Sequence, residues 1–170
     1  MNMEYEQLSS ALLALLDSVL LPRSCAYAAG PLDSGRGYYE KVAAGLPNPR
    51  VRTENERRLK SFVQILRTRL PYPVFDPGIL RVEGWTDAQY GAFFIQILER
   101  IVKEAWFLDG WEFSHGATKE FMFCVKLGIP CFTEGGQIID VELGRSMIRK
   151  ASDYVDALGL NGSRLRSRLV

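Results

Sequence analysis

Apolar residues at Leu8, Leu12, Leu15, Leu16 and Val19 recur at helical spacing and predict an amphipathic helix over residues 4 to 21, closed by Pro22. Its apolar face fits either the chain's own sheet or a second subunit. The short run Ser24 to Ala29 predicts a strand, ended by Gly30-Pro31 and the small-residue loop Leu32 to Gly37. A helix is expected to begin near Tyr38. Residues 46 to 52, with Pro47, Asn48, Pro49 and two arginines, predict a loop, and Thr53 with Glu56 predicts a capped helix that runs through Phe62, Ile65 and Leu66 to Arg69 and stops before Pro71.

The second half repeats the alternation. Val74-Phe75 predicts a short strand and Asp76-Pro77-Gly78 a turn. Thr86 and Gln89 form a second capping-box pattern, which opens a helix through Phe94, Ile97, Leu98 and Ile101 into a buried strand over Ala105 to Leu108. A helix over Ala117 to Leu127, started at Ser114, leads to a strand over Ile129 to Phe132. After the turn Glu134-Gly135-Gly136, Gln137 to Ile139 fits a fifth short strand, and Val141 to Leu158 a last helix ended by Gly159. Strands and helices in this order call for an α/β fold. The expected form is a mostly parallel sheet of four to five strands with helices on both faces, Rossmann-like or flavodoxin-like. The basic end, Ser163 to Arg168 within residues 160 to 170, reads as a solvated, mobile tail.

Composition narrows the class. The chain has 170 residues, 47% hydrophobic and 24% charged, which suits one globular domain over residues 1 to 170. Its formal charge is +1, from 21 basic and 20 acidic residues, so no global field recruits nucleic acid or a membrane. Cys25, Cys124 and Cys131 lack Cys-x-x-Cys spacing and lie in or beside apolar runs, which fits reduced thiols in a core. With a single His no metal site is expected, and no cofactor either. The apolar run Ala11 to Leu21 imitates a secretory signal, but Glu4 and Glu6 stand where a basic start is needed and Asp17 interrupts it. A soluble, cytoplasmic protein is expected.

Two stretches carry candidate chemistry. In an open α/β sheet, ligands bind beyond the carboxyl ends of the strands. There the first loop offers Gly30, Ser34, Gly35, Arg36 and Gly37, whose backbone N–H groups and guanidinium could hold an anion. It matches neither the dinucleotide glycine fingerprint nor a Walker loop, and on spacing alone a structural turn outranks a phosphate site. The second stretch runs from Leu108 to Glu120. Ser114 reads first as a helix N-cap, Gly116 leaves room for a ligand near the first N–H groups, and Glu120 lies at the edge of the apolar stripe Ala117, Phe121, Cys124 and Val125. His115 is adjacent to Ser114, a geometry that does not make a hydrolase pair. Of the three tryptophans, Trp106 fits the core and Trp111 is the candidate for stacking on a base.

Tyr27-x-x-Gly-Pro31, the stretch Leu108-Asp-Gly-Trp-Glu-x-Ser-x-Gly-Ala-x-x-Glu120 and the following Leu127-Gly-Ile-Pro130 together resemble the nucleoside 2-deoxyribosyltransferase-like superfamily, most closely its small branch frequent in phages and bacteria. The likeness runs from about Ala26 to Phe132. It implies an α/β fold acting on the N-glycosidic bond of a nucleoside or nucleotide, with Glu120 attacking the anomeric carbon and Tyr27 near it. The spacing Ser114-x-Gly116-x-x-x-Glu120 resembles the branch that hydrolyses deoxynucleoside 5′-monophosphates, in which Ser114 and the loop Ser34, Gly35, Arg36 would hold phosphate. Free-nucleoside transferases carry Asp at the position of Ser114, so a nucleotide is expected. The family often has an Asp on the helix before the third strand, where this chain has Ile95 or Gln96. Either Asp109 supplies the proton instead, or the chain binds a nucleotide without cleaving it. The resemblance also implies a homo-oligomer.

Overall fold

A computed structural model describes residues 3–47, 50–167 and 169. Asn48, Pro49 and Arg168, in the expected loop and tail, lie outside the described residues. The element order is α1 (Met3–Val19), β1 (Cys25–Ala29), α2 (Arg36–Ala43), α3 (Val51–Arg69), β2 (Val74–Phe75), α4 (Asp87–Arg100), β3 (Val102–Phe107), α5 (His115–Leu127), β4 (Cys131–Thr133), α6 (Val141–Ala157) and α7 (Ser163–Arg166). The four strands form one all-parallel sheet in the order β2-β1-β3-β4, the α/β layout expected from the alternation of elements. β1 is central, and the chain leaves it first toward β2 and later, from α4, toward β3 on the other side. The carboxyl ends of β1 and β3 therefore border the crevice where such sheets hold ligands.

Period-two alternation splits β1 between two cores. Ala26 and Ala28 pack with Val74, Trp106 and Leu108 against Leu59, Phe62, Val63 and Leu66 of α3. Cys25, Tyr27 and Ala29 face the other side with Phe107, Phe121, Cys124, Ile148 and Val155, under α4, α5 and α6. β1 presents only alanines to α3, whereas its other face carries Tyr27 among larger aromatic side chains. All three cysteines are free and buried, and Trp106 is core, as their apolar settings suggest. Among the described residues no helix is long and apolar enough to cross a membrane.

Several boundaries differ from the pattern-based expectation. α3 begins at Val51 with Arg50 as N-cap and no side-chain cap bond, so Thr53 lies inside the helix and its box with Glu56 is unused. Gln137 to Ile139 is not a fifth strand. The chain turns back so tightly at Gly136, in the left-handed region, that only an isolated antiparallel bridge between Phe132 and Ile138 forms. The expected mobile tail includes the short helix α7, whose Leu165 is buried against the main core. Ser152 donates to the Gly162 carbonyl at 2.8 Å, tying that helix to α6.

α5 carries the carboxylate of interest, and two features seat it. Ser114 caps it by accepting from the Ala117 N–H at 3.3 Å, and Gly128 ends it in the left-handed region. α6 then crosses it at Gly144, where a Cβ would stand 2.1 Å from the Phe121 ring.

Candidate functional site

The side chains of Tyr27 and Glu120, 93 residues apart, meet between β1 and α5. The Tyr27 hydroxyl donates to Glu120 Oε1 at 2.8 Å. Tyr27 is buried and fixed by neighbours, stacked on Phe75 at 5.8 Å between ring centroids and edge-on to Phe94 at 6.5 Å. Its hydroxyl thus has one settled direction. Glu120 is half-buried. Loss of water around its carboxylate pushes its pKa up to about 7, against the Tyr27 hydrogen bond and the nearby Lys119 ammonium, which both lower it. The same burial, together with the Glu120 charge, pushes the Tyr27 hydroxyl well above its ordinary range, so the phenol stays a donor at neutral pH. A desolvated carboxylate with one oxygen held by a rigid donor can act as a nucleophile or as a proton acceptor.

A separate cavity of about 300 Å³ opens at the carboxyl ends of β1 and β3, at the small end for ligand pockets. Its walls are Pro31 and Ser34 to Tyr38 from the loop after β1 and the start of α2, Asp109, Gly110, Glu112 and Phe113 from the loop after β3, and Val51, Glu54, Asn55 and Arg58 of α3 with Lys41. Three cations and three carboxylates face it: Arg36, Lys41 and Arg58 against Glu54, Asp109 and Glu112. The cavity is polar without a dominant sign.

The sequence candidates divide between these places. Ser34, Gly35, Arg36, Gly37 and Asp109 line the cavity; Tyr27, Glu120, Gly30, Trp111, Ser114 and Gly116 do not. Gly35 has φ of 128°, which a glycine adopts without strain, and it turns the loop into α2. α2 starts at Arg36, two residues earlier than expected. The Arg36 guanidinium is already engaged, 3.0 Å from Glu40 Oε1, 3.5 Å from the Tyr154 hydroxyl and over the Tyr154 ring. Gly30 serves packing, because a Cβ there would press on Leu108 at 3.2 Å. Ser114 is buried with its hydroxyl committed to the cap, and Gly116 is exposed in the first turn of α5.

Trp111 does not stand ready to stack on a base. It is 1% exposed and packs between Phe107 and Phe121 at 4.8 and 4.9 Å, because the 3₁₀ turn Trp111–Phe113 after Gly110 swings its indole inward. Asp109 is exposed. Its carbonyl accepts from Arg58 at 3.1 Å and its N–H donates to Glu134 at 3.4 Å.

Three further residues matter. Asn55 donates to the carbonyls of Leu32 at 3.0 Å and Ser34 at 2.6 Å, and so holds the loop after β1 in shape. Its signal was a polar residue in the apolar stripe Asn55, Leu59, Phe62, Leu66. Arg58 performs the matching task for the loop after β3, and no local pattern marks it. Glu112 is half-buried with Oε2 lacking a hydrogen-bond partner. Burial raises its pKa, as does Asp109, while its own backbone N–H and Arg36 lower it. It stood inside the elbow motif without an assigned role.

Among the described residues no three His, Cys, Asp or Glu side chains gather as a metal-holding group. Compared with models of known protein families, with curated proteins and with solved structures, the chain finds no match.

Proposed function

We propose that this protein cleaves or transfers the N-glycosidic bond of a nucleoside 5′-monophosphate, with Glu120 as nucleophile. The observation that carries the reading is the Tyr27 to Glu120 hydrogen bond of 2.8 Å on a desolvated carboxylate. It is the pairing that the resemblance to the nucleoside 2-deoxyribosyltransferase-like superfamily implies. A Glu120 oxygen attacks the anomeric carbon while the bond to the base nitrogen breaks, and the base leaves with that electron pair and takes a proton. The developing oxocarbenium charge is met by the carboxylate, which then holds the sugar as an ester. Water releases the sugar phosphate, or a second base accepts it. Tyr27 binds one oxygen and leaves the other to attack. The phosphate is assigned to the loop Ser34 to Gly37, and the proton to a carboxyl at the exit of β3. Burial lets Glu112, at that exit, hold a proton to higher pH than an ordinary carboxylate.

Incubation of purified protein with ribo- and deoxyribonucleoside monophosphates, followed by chromatography of free base, tests this directly. Base release that Glu120→Ala lowers about a thousandfold or more is expected. No free base from any nucleotide would sink the cleavage reading.

A second reading, nucleotide binding without turnover, is favoured by one observation: the cavity at the carboxyl ends of β1 and β3 does not include Tyr27 or Glu120 in its walls. In that case calorimetry with the same nucleotides shows binding, Glu120→Ala leaves affinity unchanged, and Arg36→Ala weakens it selectively for phosphorylated ligands.

A further inference from the structure

Charge is divided along α3. Its first turns are neutralised, since Arg52 pairs with Asp33 at 2.6 Å and with Glu56 at 2.8 Å, and Glu54 pairs with Lys41 at 3.8 Å. From Arg57 to Arg69 the helix carries five cations, Arg57, Arg58, Lys60, Arg67 and Arg69, and no acid. Among the described residues none of the five forms an ion pair. Arg58, Arg67 and Arg69 donate to the carbonyls of Asp109, Val74 and Glu134. The side chains of Arg57 and Lys60 are exposed and make no hydrogen bond among the described residues, although cations at i and i+3 repel each other. A groove runs beside them. A second cavity, of about 250 Å³, is lined by the apolar Phe62, Ile65 and Leu108 and the polar Arg57, Arg58 and Ser61. Its one acid, Glu134, accepts from the Asp109 N–H at 3.4 Å. Arg58 also lines the cavity at the carboxyl ends of β1 and β3, so the two adjoin along α3 from Val51 to Ile65, a length of about 21 Å.

We propose that this face of α3 binds a single-stranded nucleic acid. A 5′-phosphorylated terminal nucleotide occupies the cavity between the loops after β1 and β3, and the strand continues past Arg58 over Arg57 and Lys60. The position of its end rests on the nucleotide reading above; binding along α3 does not. A chain with a phosphate at every unit suits a row of cations without acids, because each phosphate neutralised releases counterions. The net charge of +1 conceals that row, since acids elsewhere balance it. An unpaired base fits the second cavity, where it meets Ile65, 47% exposed, and the guanidinium planes of Arg57 and Arg58, which stack on any base. A base held in a duplex does not reach such a cavity. An acidic protein would satisfy the charge alone. The outward face, Arg57, Lys60, Gln64, Arg67 and Thr68, has no apolar or aromatic side chain to anchor one.

Fluorescence anisotropy on the full chain tests this, with a ten-nucleotide single strand of mixed sequence, 5′-phosphorylated and labelled at its 3′ end. Neutralisation of three phosphates predicts an affinity that falls about twentyfold between roughly 50 and 200 mM salt. The double variant Arg57→Glu, Lys60→Glu is expected to keep its far-ultraviolet spectrum and to lose about tenfold or more in strand affinity. Nucleoside 5′-monophosphates should bind it as they bind wild type, since neither residue lines the first cavity. The charge-preserving pair Arg57→Lys, Lys60→Arg should bind the strand about as wild type does. Unlabelled strand is expected to displace the probe better than its own duplex or polyglutamate of equal charge. No strand binding at the lower salt, an affinity indifferent to salt or to the charge reversal, or equal competition by duplex or polyglutamate would overturn the proposal. Strand binding with no base released from mononucleotides would instead remove the cleavage reading and leave the strand site in place.

Discussion

Replacing Glu120 by Gln is expected to stabilise the protein at alkaline pH and to leave it unchanged in acid. In the unfolded chain a Glu titrates near 4.5, whereas burial holds Glu120 at about 7 in the fold. Below pH 4.5 the carboxyl is protonated in both states and resembles the neutral amide. Between 4.5 and 7 the unfolded state ionises first, so wild type loses stability as pH rises, and above 7 the loss is complete. A shift of that size corresponds to about 3 kcal/mol. Glu120 is half-buried, so water that reaches it reduces the gain to about 2 kcal/mol. The Gln carbonyl still accepts from Tyr27, so the hydrogen bond survives. For a domain of this size, about 2 kcal/mol moves the thermal midpoint by roughly 4–8 °C. Melting curves of both proteins at pH 4 and pH 8, at equal concentration, measure it. Equal midpoints at pH 8, a less stable variant there, or the same gain at both pH values would refute the assignment of a desolvated carboxylate.

Other expectations follow from the same geometry. If Glu120 is the nucleophile it must be ionised, so kcat/KM for nucleotide cleavage should rise with pH through about 7; a flat profile from pH 5.5 to 8.5 would contradict that role. Tyr27→Phe removes the donor that lowers the Glu120 pKa, so the same ascending limb should move to higher pH with a fall in rate, while an unmoved limb would show that Tyr27 does not orient the carboxylate. Asn55→Ala should cost about 1–3 kcal/mol in urea unfolding, because it strands two loop carbonyls beside the cavity. Gly144→Ala should cost about 1–3 kcal/mol or more, since the Phe121 ring is hemmed in by Phe107 and Trp111 and cannot retreat; wild-type stability would show that α5 and α6 can part without loss.

The alternation of strands and helices was legible because it depends on local spacing: the capping box at Thr86 and Gln89, the cap at Ser114 and the stop at Gly128 all act within four residues. The same locality misled at Thr53, where a good capping pattern is overridden by a helix that starts earlier, and at Gln137 to Ile139, where the turn at Gly136 leaves no length for a strand. For the site, the residue types were legible and their grouping was not. The elbow motif marked Glu120, and the first strand marked Tyr27, but whether a given side chain of the following loop faces inward depends on the 3₁₀ turn that buries Trp111 and leaves Glu112 on the cavity wall.

By itself the sequence determined a single α/β layout, buried thiols, a capped α5 and an acid at the edge of its apolar stripe, since each is a matter of periodicity or of neighbours on one turn. Only the tertiary structure decided which acid meets which hydroxyl. The bond between Tyr27 and Glu120 joins residues 93 positions apart, one on β1 and one on α5, which meet only when the four parallel strands and their helices are assembled. It also decided that the loops after β1 and β3 share a cavity that Tyr27 and Glu120 do not line. Contacts between distant segments are fixed by how whole layers pack, and no window of neighbouring residues contains that information.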